Sequence, residues 1–307
     1  MNDAPNAAPV EITGLSRRFR TKLALDNVSL TVPQGCVFGL LGENGAGKTT
    51  LIKHIMGLLV PQSGSIKVFG HEPATDPEAA LGRIGYLSED RDIPRWMRIY
   101  ELMRYTQGFY PKWDERFAEE LLRTFELDPS QKIKTLSLGQ TAKTGLLCAL
   151  AHKPPLVVLD EPSSGLDAVV RRHILHSAIR HVAEEGRTVL FSSHLLDEVE
   201  RVSDYIAIMH SGKLLLCDRL SAIRDGHRRL IVVFDAPQAQ GPPTPGILEW
   251  EGKGKEWRAL CTQPVSDVRA RLATLSGKIV EEAVPSLEEI FLARVGKKFD
   301  ESEAQAS

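Results

Sequence analysis

No apolar run in this sequence approaches the roughly 20 residues needed to cross a bilayer, so none of its 307 residues reads as part of a membrane span. The sequence also has no C-x-x-C pair. Its cysteines, Cys36, Cys148, Cys217 and Cys261, are far apart, which argues against a zinc site or a disulfide framework and for reduced core thiols of a cytoplasmic protein. Charge of one sign is not in excess: a formal net charge of −2 excludes the overall basic footprint that dominates nucleic-acid binding. Internal repeats and low-complexity tracts are missing. Residues 1–9 are polar and Ala/Pro-rich, without the apolar centre of a signal peptide, and are expected to form a disordered tail. What remains, 42% hydrophobic and 25% charged, is ordinary globular composition, with length for one large domain and a smaller one.

The most informative stretch is Gly42-Glu43-Asn44-Gly45-Ala46-Gly47-Lys48-Thr49, which fits the phosphate-loop pattern G-x-x-x-x-G-K-[ST] at every specified position. The apolar run before it, residues 36–41, reads as a buried parallel strand. After it, Leu51, Ile52, Ile55 and Met56 recur at helical spacing. This order sets a helix N-terminus, with its unpaired N–H groups and positive dipole end, against a phosphate. Gly42, Gly45 and Gly47 free the backbone to turn successive N–H groups inward. Lys48 is expected to reach the β- and γ-phosphates, and the Thr49 hydroxyl to bind magnesium.

Two further strands end in chemistry. Leu156-Val157-Val158-Leu159-Asp160-Glu161 delivers adjacent carboxylates at the tip of a buried strand, and burial accounts only for its apolar half. Thr188-Val189-Leu190-Phe191-Ser192-Ser193-His194 brings a histidine to the corresponding end; taken alone, such a histidine reads as structural more readily than as catalytic. Upstream, residues 10–15 and 29–32 alternate as half-exposed strands of a small antiparallel layer. Residues 90–127 read as helical and aromatic-rich, with Trp96, Tyr100, Tyr105, Phe109, Tyr110, Trp113, Phe117 and Phe125 expected mainly as packing. Ser137 is a candidate N-cap for the helix that follows. Past about Arg219 the composition shifts to a small α+β appendage of strands, a hairpin turning at Gly252-Lys253-Gly254-Lys255 and two helices, with no catalytic constellation.

Taken together, these motifs resemble the nucleotide-binding subunit of an ATP-binding cassette (ABC) transporter. Residues 42–49 stand where that family has its Walker A loop, and Leu136-Ser137-Leu138-Gly139-Gln140 where it has its L-S-G-G-Q signature. Asp160 and Glu161 fall at the Walker B position, Ser163-Ser164-Gly165-Leu166-Asp167 resembles the D-loop, and His194 matches the switch histidine. The resemblance spans residues 10–220 and is finest to ATPases of bacterial ABC-2-type and bacitracin-type exporters, on residues 109–114 and 287–292.

It implies an α/β P-loop NTPase cassette, with a mixed sheet core, an antiparallel β subdomain and a helical subdomain at about 90–152. A small α+β accessory domain at 228–296 and a disordered tail at 297–307 complete the expected organisation. Its cofactors would be ATP and Mg²⁺, with Thr49, Asp160 and Glu89 around the metal. Glu161 would be the general base, with Lys48 and His194 beside it. Asn44, Ala46 and Thr50 would join the glycines in holding phosphates, and Phe19 would stack on adenine. Ser137, Gly139, Gln140 and Asp167 would meet ATP held by a second copy, in a head-to-tail homodimer seated on the cytoplasmic face of the membrane through a separate permease, with no nucleic-acid partner.

Two departures stand out. Glu89 occupies a position where the family usually has glutamine. Leu138 replaces the first signature glycine, and no arginine follows Gln140. A bulky Leu138 beside the γ-phosphate would weaken the sandwich, whereas a side chain turned away would change nothing. A soluble ABC-type ATPase with a regulatory, ribosome-linked or DNA-linked role is the competing reading; the single cassette and near-neutral charge speak against it.

Overall fold

The structure is a computed structural model, and it describes residues 7–167, 170–171, 179, 181–262 and 264–304. The chain divides into two compact units at Cys217/Asp218, a few residues before the boundary expected from composition.

The first unit holds two sheets over one core. β1 (Val10–Phe19) pairs antiparallel with β2 (Lys22–Val32) on one side and β4 (Ser63–Val68) on the other. Both front strands are longer than the alternation in the sequence marked, because register shifts between Ile12 and Arg18 break the two-residue period. A two-residue turn, Arg20-Thr21, joins β1 to β2 and sets Phe19 opposite Lys22.

The larger sheet has the order β5-β6-β7-β3-β8-β9. Its members are β3 (Val37–Leu41), β5 (Ile84–Leu87), β6 (Leu156–Leu159), β7 (Thr188–Ser193), β8 (Tyr205–His210) and β9 (Lys213–Arg219). β5, β6, β7, β3 and β8 run parallel. The Ser211-Gly212 turn folds β9 back as a hairpin. β3, β6 and β7 are buried at every position, as parallel strands covered on both faces must be. A single core joins Ile12, Leu30 and Val68 of the antiparallel sheet to Phe38, Val158 and Leu190 of the parallel one.

Helix α1 (Lys48–Ile55) follows β3 directly, and the short α2 (Pro77–Leu81) precedes β5. The helical part contains α3 (Ile99–Gln107), α4 (Glu115–Thr124) and α5 (Leu138–Leu150). Pro111 lies in the break between α3 and α4. α5 lies so close on β5 that a Cβ at Gly85 would come within 1.9 Å of Ala149 O, so only glycine fits there. Phe117 and Phe125 are buried, as expected. Trp96, Tyr100, Tyr105 and Phe109 are not: Trp96 is 73% and Phe109 64% exposed, so this half of the aromatic set is surface.

The second unit pairs β10 (Arg228–Gln238) with β11 (Ile247–Cys261) and β12 (Gly277–Ala283), all antiparallel, over a core that includes Leu230, Val232, Phe234, Trp257 and Leu272. β11 doubles back near Gly254, as the sequence suggested. Thr262 N donates to Gly246 O at 2.8 Å, Arg258 pairs with Glu251, and Trp250 meets Trp257 edge-on. The last helix is Leu287–Ala304 and continues past residue 297, where the tail was expected to begin. No proline interrupts that stretch, and its Lys, Phe, Glu and Ala residues sustain the helix; residues 305–307 of the expected tail, like 1–6 of the N-terminal one, lie outside the described residues.

Candidate active site

Register brings the chemistry to one edge of the large sheet. Leu41 stands beside Ser193, and Leu159 beside Phe191, so the residues just past β3, β6 and β7 emerge side by side. Gly42 N donates to Ser193 O at 3.3 Å and ties the start of the phosphate loop to the strand that ends at His194. The loop then turns tightly. Gly47 caps α1 at φ 109°, and a Cβ there would lie 2.6 Å from Ala24 O, so glycine is required both by conformation and by space. Ala46 is buried, and its carbonyl accepts from Gly212 N at 3.0 Å. Asn44 is exposed in the loop, and Thr50 lies in the first turn of α1, where its carbonyl pairs with His54 Nδ1.

Lys48 is buried, and its ammonium donates to Gly42 O at 2.6 Å and Glu43 O at 3.2 Å. It also forms a buried ion pair with Glu161 Oε1 at 3.0 Å. The other Glu161 oxygen, Oε2, meets His194 Nδ1 at 2.8 Å. A carboxylate only accepts, so Nδ1 of the half-exposed His194 carries the proton that it donates to Glu161, and Nε2 is its other ring nitrogen. Glu161 itself has φ 46°, a left-handed conformation that is rare and costly for a residue with a Cβ. Lys48, Glu161 and His194 thus form a continuous acid–base chain.

Asp160 sits beside it. Its Oδ1 accepts from Ser192 Oγ at 2.7 Å and Thr49 Oγ1 at 3.3 Å, while Oδ2 is buried with no hydrogen-bond partner. Burial raises the Asp160 pKa, the Ser192 and Thr49 hydrogen bonds pull it down, and the charges of Glu89 and Glu161 push it up. The Glu89 contribution places that exposed carboxylate within electrostatic reach of Asp160. Burial, together with Asp160, Asp90 and Glu89, also raises the pKa of nearby Tyr86, to about 12. A threonine hydroxyl, an unpartnered buried carboxylate oxygen and a second carboxylate nearby are hard oxygen donors that suit Mg²⁺. Among the described residues there is no cluster of three or more His, Cys, Asp or Glu that could hold a metal ion.

The other predicted contacts lie apart from this chain. Ser137 caps α5: its Oγ accepts from Gln140 N at 3.1 Å, and Gln140 Oε1 accepts from Ser137 N at 2.9 Å. The side chain of Leu138, 51% exposed, reaches over the D-loop, and a Cβ at Gly165 would meet its Cδ2 at 2.9 Å. Gly139 lies against Val170, and Asp167 Oδ1 accepts from Val170 N at 3.0 Å. The structure therefore assembles Lys48, Thr49, Asp160, Glu161 and His194. It leaves the signature residues facing their own D-loop. Phe19, 41% exposed at the tip of the front sheet, carries the Arg17 guanidinium 4.8 Å from its ring centroid.

Three supporting residues escaped the reading of the sequence. Ser192 donates to Asp160 and accepts from Glu161 N at 2.8 Å, fixing both carboxylates with one hydroxyl. Glu198, buried, accepts from Ser163 Oγ and Ser193 Oγ, each at 2.7 Å, and pairs with Arg171 at 3.3 Å. Lys22 places its ammonium 3.6 Å from where a Cβ of Gly45 would be, beside the phosphate loop. The Ser-Ser pair before His194 was the available signal for the first, but short hydroxyls in a strand are too common to single out.

A model of the ABC transporter family matches residues 25–164. The chain is 29% identical over 289 residues, 94% of its length and 99% of the relative's, to the ABC transporter ATP-binding protein YtrB of Bacillus subtilis (strain 168). It is 33% identical over 211 residues, 67% of this chain and 68% of the other, to the bacitracin transport ATP-binding protein BcrA of Bacillus licheniformis. Among solved structures, an ATP binding subunit of an ABC transporter is similar at TM-score 0.65 and 32% identity, covering 70% of this chain and 92% of that one. With the family match lying across both the phosphate loop and the paired carboxylates, and full-length likeness to ATP-binding subunits, this chain belongs to the ABC transporter ATP-binding proteins and is an ABC-type ATPase.

Proposed function

We propose that this ATPase is the motor of an exporter: two copies close head to tail on Mg-ATP and drive a separately encoded membrane permease. The observation that carries the chemistry is the buried Lys48–Glu161–His194 chain. In this reading the loop amides and Lys48 bind the β- and γ-phosphates of ATP. Glu161 then accepts a proton from the attacking water, and His194 Nε2 orients that water or the γ-phosphate. Thr49 and Asp160, with Glu89 nearby, would hold Mg²⁺, which would supply neutralisation of phosphate charge. Phe19 stacks on the adenine with the ring face that Arg17 leaves open.

The dimer follows from where the signature lies. α5 is a 13-residue helix, and the neighbours of its N-terminus in its own chain are Gly165 and Val170, not the phosphate loop. ATP on a second copy supplies the missing anion. The permease reading is supported by Trp96, Tyr100, Tyr105 and Phe109, exposed aromatic side chains on the helical part that suit a partner surface. Export is the direction named for another similar protein, the Nod factor export ATP-binding protein I of Rhizobium leguminosarum bv. viciae.

The test is purification of the full-length chain from detergent-solubilised native membranes. A stoichiometric integral membrane partner, and ATP turnover that is Mg-dependent, rises cooperatively with ATP and disappears in Glu161→Gln, is the expected result. Recovery without a membrane partner, or turnover equal to the Glu161→Gln control, overturns the reading.

A further inference from the structure

Arg91 has no part in the chemistry described so far, yet it is among the few buried charged residues of the chain. Its Nη2 donates to Ser164 O at 2.6 Å and to Pro162 O at 3.2 Å. Those carbonyls belong to the turn that begins at Glu161 and is closed from the other side by Ser164 N donating to Glu161 O at 3.1 Å. The Arg91 backbone is fixed in turn: its N–H donates to Ser88 O at 3.1 Å, and its φ of 48° is left-handed. One guanidinium thus bridges the turn that carries Glu89 to the turn that carries Glu161.

We propose that Arg91 is a positioning residue for ATP hydrolysis, holding the residue 161–164 turn so that the Glu161 carboxylate stays on Lys48 and His194. The physical case rests on strain and on satisfaction. Glu161 sits at φ 46°, a conformation that persists only when its surroundings over-determine it. Pro162 has no N–H with which to anchor the turn, so its carbonyl is the handle available, and Arg91 takes it. Without the guanidinium two carbonyls lose a charge-assisted donor, and the turn relaxes by rotating Glu161. Lys48, Thr49 and the loop amides are not touched by Arg91, so ATP binding stays while turnover falls. The same bridge makes any displacement of the Glu89 turn a displacement of the general base.

The test uses the full-length chain with Arg91→Ala and Arg91→Lys, measuring kcat, KM for ATP, affinity for a fluorescent ATP analogue and the melting temperature. Arg91→Ala is expected to lower kcat about 10- to 100-fold with KM and analogue affinity within about threefold. Arg91→Lys should recover part of the loss, and methylguanidinium added to Arg91→Ala should raise kcat while leaving KM unchanged. Wild-type kcat in folded Arg91→Ala overturns the proposal. So does a parallel fall of kcat and ATP affinity that neither lysine nor methylguanidinium relieves, since that is what a residue holding only the fold would show. Where Arg91→Ala does not fold, Arg91→Lys decides: a kcat reduced with unchanged KM supports the positioning role, and an unchanged kcat with a lowered melting temperature refutes it.

Discussion

At the phosphate-loop end of the site, Lys48, Asp160 and Glu161 are buried and each is gripped by at least two other side chains or carbonyls. At the signature end, Ser137 and Gln140 hold one another and the first turn of their own helix, and Leu138 is half exposed. One end is finished within the chain and the other is held ready. Chemistry that depends on the position of a proton acceptor needs the first kind of construction. In the proposed dimer, the contact made and broken in each catalytic cycle falls at the second, where only the first turn of one helix is held and Leu138 is half exposed.

The largest effects should come from breaking the finished end. Lys48→Ala strands Glu161 as a buried, half-paired charge, so kcat falls by about 10²–10³ and stability by about 3–5 kcal/mol, read by steady-state turnover and by denaturant titration. Glu161→Gln separates chemistry from binding. If Glu161 is the proton acceptor proposed, its loss costs about 10²–10⁴ in kcat, yet ATP affinity should rise, because the Lys48 ammonium is released from its ion pair with Glu161; equilibrium binding of a fluorescent ATP analogue checks it. Ser192→Ala removes the hydroxyl that holds Asp160 and Glu161 N together. It should cost about 1–3 kcal/mol of stability and roughly tenfold in kcat, with little change in ATP affinity.

How much of this was legible in the sequence follows the same division. The phosphate loop, the paired acids and His194 could be read because each is a short run at the end of a strand whose apolar pattern says where it ends. Ser192, Glu198 and Arg91 could not. Their roles depend on which turn lies across the sheet edge, a matter of register and fold that local spacing does not carry. The aromatic set around α3 misled for a related reason. Buried Phe117 and exposed Phe109 look alike in composition, and only the packing of α3 and α4 separates them. The expected tail from residue 297 rested on its charge and on Gly296, a poor helix former, and local composition does not show that the last helix continues through both.

A smaller effect sharpens the comparison along α5, whose first turn is at the surface while its far end is anchored. His152, just past that end, is buried, stacked on Tyr110 at 3.7 Å and bonded to Ile84 O at 3.3 Å; burial pushes its pKa down from 6.5 to about 4. Because the folded value lies below the unfolded one, the stability from burying neutral His152 is complete above pH 6.5 and is lost as pH falls toward 4. The loss across that window should reach about 3 kcal/mol, and burial of His54 and His227 acts in the same direction. Denaturant midpoints at pH 7.5 and pH 5 should therefore differ by less in His152→Gln than in wild type.

The smallest effect is expected at Leu138, the residue that departs most visibly from the family pattern. Two readings were open: a side chain crowding the γ-phosphate, or one turned away from it. The structure lays Leu138 over Gly165 of its own chain, so close that a Cβ there would push its Cδ2 aside. The groups at this helix end that can meet phosphate are then the backbone amides and the Ser137 hydroxyl, while the Leu138 side chain acts as a pad between the signature and the D-loop. Leu138→Gly should accordingly change kcat by less than about threefold and cost less than about 1 kcal/mol of stability. Gly165→Ala must lose more, chiefly because its φ of 70° disfavours any side chain, with a smaller cost for pushing the flexible Leu138 side chain aside. The pair is decisive together. In the double variant Leu138→Gly/Gly165→Ala the collision is gone and only the backbone strain remains, so the double variant should be more stable than Gly165→Ala alone. If it is no more stable, the Leu138 side chain yields to the new methyl at no cost, and the signature end of the chain is freer than its capping box implies.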